Sequence, residues 1–272
     1  MGGDFVKSSG TLTQTNLLLA GSSITLTSDE GLSFVNLNLN DYALTLGSST
    51  SDLTVENAIT IDASTEGIST VEADLILMSA LTLSAGDVTS TGGIVSLSGG
   101  GQLSGSGILD VSGSTWGLGG DFVKSSGTLT DNQTNLALSG NSTLTSDVSL
   151  NFENLNLNDF TLTLGSPTSD LTVINAITID ASTEGISTVE ADLILMSALT
   201  MSEGLLQSSG GTWEFNGDFK KTGGTLSITE TDLTLTNMAL LGLAPVNITL
   251  TSDQALSFKT LTLNYNTLTL GS

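Results

Sequence analysis

The chain has no cysteine, no histidine and no arginine, and its basic side chains are five lysines. Each absence removes a class of chemistry. Without cysteine there is no disulfide framework, and without cysteine and histidine there is no zinc finger, Cys–His pair or Ser–His–Asp triad. Five lysines against 28 acidic residues leave a formal charge of −23. Phosphate binding takes a basic patch, so nucleic acid is a poor partner, and an anionic membrane surface is another. The longest apolar run, Met238 to Pro245, falls far short of the ~20 residues that cross a bilayer, so no membrane insertion is expected. No positively charged segment with an apolar stretch behind it follows Met1, and no signal peptide is expected. The sequence stops at Leu270-Gly271-Ser272 inside a repeated pattern, so it reads as a piece of something longer.

Serine, threonine and glycine fill the space these residues leave: 38 Ser, 41 Thr and 31 Gly make 110 of 272 residues. They are arranged in long repeats. Asp4 to Thr13 recurs unchanged as Asp121 to Thr130, at an offset of 117. The 26 residues Asn57 to Thr82 recur as Asn175 to Thr200, at an offset of 118. Leu26-Thr-Ser-Asp29 returns as Leu144 to Asp147 and Leu250 to Asp253, and Phe34, Phe152 and Phe258 keep step with it. Such repeats mark an array in which each unit packs on its neighbours. They divide the chain into modules at 1–118, 119–215 and 216–272, read as one continuous rod.

Module lengths carry physical information. Asp4 to Asp121 is 117 residues and Asp121 to Asp218 is 97, so the first module holds 20 more. The surplus lies between Leu83 and Trp116. In a solenoid one whole coil can be lost while the cut ends still stack. Within a module, Ile24-Thr-Leu26, Leu44-Thr-Leu46, Leu53-Thr-Val55 and Ile59-Thr-Ile61 alternate with period two, and the interleaved β-branched threonines favour strands. Gly-Ser, Ser-Asp and Asp-Glu-Gly supply turns between them. Three strands fit into about 20 to 22 residues, predicting an all-β, three-sided parallel β-solenoid. At about 20 residues per coil the chain makes 13 or 14 coils, a rod roughly 65 Å long at ~4.8 Å per coil. Asn36, Asn38 and Asn40 exchange with Thr260, Thr262 and Asn264, whereas Leu37 and Leu39 match Leu261 and Leu263. Leucine is therefore read as the buried register, with Asn and Thr, including Thr11/Thr13 and Thr25/Thr27, outside.

Two boundaries share a pattern: Ser114-Thr-Trp-Gly-Leu-Gly-Gly-Asp-Phe122 and Gly211-Thr-Trp-Glu-Phe-Asn-Gly-Asp-Phe219. With the Leu-Thr-Leu coils and Gly/Ser/Asn turns, this resembles the passenger stalks of filamentous-haemagglutinin-like and autotransporter adhesins. The resemblance implies a right-handed parallel β-helix exported to the bacterial cell surface as an extracellular fibre. It implies a structural stalk without catalysis, with other surface proteins, glycans or further copies end to end as partners.

Named residues carry three other readings. Asp62, Glu66, Glu72 and Asp74, repeated as Asp180, Glu184, Glu190 and Asp192, form the richest acidic cluster. Calcium takes several oxygens from loops of this kind, so these eight are the candidate metal ligands. The bland alternative, a solvated acidic turn, is favoured because the Gly-Gly-x-Gly-x-Asp repeat is missing. No other cofactor is expected. Carboxylate pairs can serve a glycosidase, but an acidic loop duplicated unchanged looks like scaffold, so a polysaccharide-active enzyme is an outlier. Thr-x-Thr pairs such as Thr25/Thr27, Thr128/Thr130, Thr143/Thr145 and Thr161/Thr163 would form an ice-binding face if stacked, but Asn36/Asn38, Ala43/Thr45 and Thr54/Glu56 interrupt them. That face is the alternative to the stalk. The aromatics are assigned to the core, and the open ends are expected to associate weakly once salt screens the charge.

Overall fold

The structure is a computed structural model and describes residues 3–9, 16–236, 247–264 and 267–271. Thr11, Thr13 and the apolar run 238–245 lie outside the described residues. The described residues contain no helix; 36 short strands wind as an all-β parallel solenoid, about 12 turns of three strands each. The count falls below 13 or 14 because many turns take more than 20 residues. Paired residues are 20 apart at Ile24 and Leu44, 22 at Leu53 and Leu75, and 24 at Ala43 and Gly67. By compactness the chain divides into two units, Met1–Gly140 and Asn141–Ser272.

In the first unit each turn contributes one strand to each of three faces. The first face stacks Phe5–Lys7, Ile24–Ser28, Ala43–Leu46, Gly67–Thr70, Asp87–Ser90, Ile108–Asp110 and Thr128–Thr130. Period-two alternation turns every second side chain inward, where the stack makes it a column. On the second face one inward column reads Leu32, Leu53, Leu75, Val95, Trp116, Leu136. Its neighbour reads Phe34, Val55, Leu77, Leu97, Leu118, Leu138. All twelve are buried. Full burial of such a side chain contributes about 1.5–3 kcal/mol, so columns of this kind supply most of the cohesion.

The second unit repeats the pair of columns with one layer fewer between the aliphatic stack and the tryptophan. They run Leu150, Leu171, Leu193, Trp213, Leu233, Leu261 and Phe152, Val173, Leu195, Phe215, Leu235, Leu263. The layer present only in the first unit is the one carrying Val95 and Leu97. Its three strands are Ile94–Leu97, Gly101–Leu103 and Ile108–Asp110, one whole turn. Ladder pairing of Ile94 with Thr115 makes that turn 21 residues. The sequence difference of 20 agrees, because the second module gains one residue between its repeats (118 − 117).

Trp116, Trp213, Phe122, Phe152 and Phe219 are buried, as expected of core aromatics. Trp116 meets Phe122 edge-on at 4.9 Å, and Phe215 stacks on Phe219 at 5.6 Å. The leucine register needs one correction. Leu37 and Leu39 are buried, but Leu261 and Leu263 are 50% and 45% exposed. They keep their inward register over Leu233 and Leu235. Among the described residues no strand pairs on their far side, so one wall of their column is uncovered.

Candidate functional site

The repeated acidic turns are built around one glutamate each. Glu66 is buried, and its carboxylate accepts backbone N–H bonds from Asp62 (3.0 Å), Ala63 (3.4 Å) and, one turn earlier, Asp41 (3.2 Å). Glu184 is equally buried and accepts from Asp180 (2.8 Å), Ala181 (3.2 Å) and Asp159 (3.3 Å). At these corners the chain leaves the ladder, and the carboxylate serves the amides that the ladder no longer serves. Asp62 and Asp180 stand exposed at the starts of the same turns.

Glu72, Asp74, Glu190 and Asp192 belong to the next corner. Glu72 and Glu190 are exposed residues in the left-handed conformation, at φ 62° and 60°. Asp74 accepts the Ile94 N–H at 2.8 Å, and its own N–H donates to Asp52. Asp192 accepts the Thr212 N–H at 2.7 Å, and its N–H donates to Asp170. The structure thus brings Glu66 to the Asp62 amide and Asp74 to the following turn, and does not gather the four carboxylates. Among the described residues no three acidic side chains converge on one point.

Thr25/Thr27, Thr143/Thr145 and Thr161/Thr163 are placed outward and half-buried, and of Thr128/Thr130 the first is exposed. On the first face one outward column runs Thr25, Thr45, Ser69, Thr89, Asp110, Thr130. The column beside it runs Ala43, Gly67, Asp87, Ile108, Thr128. On this face, then, hydroxyls fill every position but Asp110 in one column and only the Thr128 position in its neighbour.

Sequence reasoning missed the lysines. Lys7, Lys124 and Lys221 are buried, each at the inward third position of a Phe-x-Lys strand. Lys7 pairs in the ladder with Ser28, and its ammonium reaches Asp29 at 2.8 Å and Glu30 at 3.4 Å. Lys221 pairs with Ser252, and its ammonium meets Asp253. The Asp29 hydrogen bond holds Lys7 above its ordinary value, and the same bond holds the Asp29 carboxyl below its own. Parity was the available signal. Lys7 shares the inward parity of Phe5, and the Thr-Ser-Asp corner arrives one turn later.

Comparison of the chain with protein-family models, curated proteins and solved structures found no match.

Proposed function

We propose that the chain is a structural stalk segment of an extracellular, adhesin-like surface protein of the filamentous-haemagglutinin or autotransporter kind, with no catalysis of its own. One observation carries the reading: the repeat is out of phase with the turn. Phe5–Lys7 lies on the first face of its unit, and its duplicate Phe122–Lys124 lies on the third, beside Gly101–Leu103. This duplicated segment therefore keeps its lysine inside while its outward residue moves to another face. An array of identical binding sites would need its outward residues in line. A spacer needs a continuous core and a length adjustable in whole turns. Side chains that sequence alone marks as chemically active also serve the backbone, as Glu66 and Glu184 do. The glycans or surface proteins such a stalk presents itself to would be engaged by elements other than these repeats.

Single-molecule stretching tests the reading. A stalk should resist load and lengthen in steps of whole turns, each releasing ~70 Å for about 21 residues at ~3.3–3.6 Å per residue. Featureless extension at negligible force, or saturable binding or cleavage of a polysaccharide by the chain, would contradict it.

A further inference from the structure

The turn found only in the first module creates a feature that the second module lacks. Along one corner of the first unit, successive connections have unequal lengths: five residues at 62–66, three at 84–86 and four at 104–107. The short middle connection leaves a groove of about 400 Å³ lined by Ser64, Gly86, Asp87, Ser106 and Ile108. In the second module the corresponding connections are five, three and three residues, 180–184, 202–204 and 222–224. Leu205 stands there in the ladder position that Asp87 fills, opposite Gly185 as Asp87 is opposite Gly67.

Asp87 is unlike the other corner carboxylates described above. Glu66, Glu184, Asp74 and Asp192 accept backbone amides and Asp62, Asp180, Glu72 and Glu190 stand exposed, whereas Asp87 is half-buried and no hydrogen bond or ion pair engages its carboxylate among the described residues. Its side chain lies across Gly67, where a Cβ would sit 2.1 Å from Oδ1, so the missing side chain is what makes room for it. Burial alone pushes the Asp87 carboxyl above its ordinary range. The carboxylate lines the open groove with no partner from the chain, and a charged donor entering the groove would form a charge-assisted hydrogen bond with it.

We propose that this groove binds a primary ammonium group, carried by a small alkylamine or by the lysine side chain of a peptide. An ammonium has three N–H donors, and the groove offers three acceptors, the Asp87 carboxylate and the hydroxyls of Ser64 and Ser106. Ile108 provides an apolar wall for a methylene stem. A net charge of −23 concentrates cations around the molecule. A calcium ion would need six to eight oxygens, more than one carboxylate and two hydroxyls supply.

The test uses the 272-residue chain, isotopically labelled, titrated with n-butylammonium, with Nα-acetyl-lysine N-methylamide and with n-butanol. Saturable movement of the Gly67, Gly86, Asp87 and Ile108 amide resonances is expected with the amines, and none with butanol. Asp87→Asn should weaken binding at least tenfold. Asp87→Leu, which installs the residue of the second module, should abolish it while circular dichroism stays unchanged. Saturation by both amines supports the site for either source; saturation by one alone assigns the source. Saturation by neither, or non-saturating shifts of equal size in Asp87→Asn, would overturn the proposal.

Discussion

Residues 57–82 and 175–200 are identical, and their surroundings are not. Inside the two copies the same bonds recur: Glu66 and Glu184 hold the same two turn amides and one from the preceding turn. Asp74 and Asp192 each hold the first amide of a strand one turn on. Beyond the copies the paths separate. The first continues through Asp87 into an additional turn, and the second goes through Leu205 directly to the tryptophan layer. The comparison teaches that a segment of about one turn dictates its own corner chemistry, whereas the surface it helps to form depends on the turn stacked next to it. Grooves and faces can therefore be new where every local bond is old.

The largest effect should come from the shared interior. Leu195 is 2% exposed between Val173 and Phe215. Leu195→Asp leaves an unpaired charge there and should abolish cooperative thermal unfolding, because isolated buried charge costs more than a domain's ~5–15 kcal/mol margin can absorb. A surviving cooperative transition with an unchanged midpoint would break the assignment of this column to the core.

Corner carboxylates come next. Glu66→Ala and Glu184→Ala each strip three backbone amides of an acceptor and should each cost about 1–3 kcal/mol in denaturant unfolding. Glu66→Gln keeps an acceptor oxygen and should cost clearly less. Unequal losses for the two alanine variants would sharpen the comparison, since only the surroundings differ.

The smallest effect belongs to the buried lysine. Asp29, held below its ordinary 3.8, adds stability above that pH and loses it as pH falls through the lowered value. Lys7, held above 10.5, adds stability below that pH and loses it as pH rises through the raised value. The difference in melting midpoint between the parent chain and Lys7→Met should therefore form a plateau from about pH 5 to pH 9 and shrink on both sides. A flat difference down to pH 2 would show that the ammonium contributes packing and no pairing.

Much of this was legible in the sequence. Period-two alternation and the exchange of Asn with Thr beside constant leucines give the strands, their inward face and the turn length. The 20-residue difference locates the additional turn. Three things were not legible, for a common reason. The lysines enter the sequence reading only as charge, although parity with Phe5 puts Lys7 within. The glutamates read as solvated turn acids, with calcium ligation as the alternative, because the Asp41 amide that meets Glu66 lies 25 positions away and becomes its neighbour through stacking alone. Leu261 and Leu263 were read by pattern, but burial needs a covering turn as well as a register.

The central claim is that the whole turn of three strands is the unit by which this protein is built and lengthened. Deleting Ile94–Ser114 tests it most directly. The deletion joins Ser90-Thr-Gly-Gly93 to Thr115-Trp-Gly-Leu118, matching the natural Ser208-Ser-Gly-Gly211-Thr-Trp-Glu-Phe215. The account predicts a β-type circular dichroism spectrum and one cooperative melt within a few degrees of the parent, about the change expected for ~1 kcal/mol in a domain of this size. Loss of cooperative unfolding in that variant, with equal loss in one lacking only ten residues of the same stretch, would contradict it.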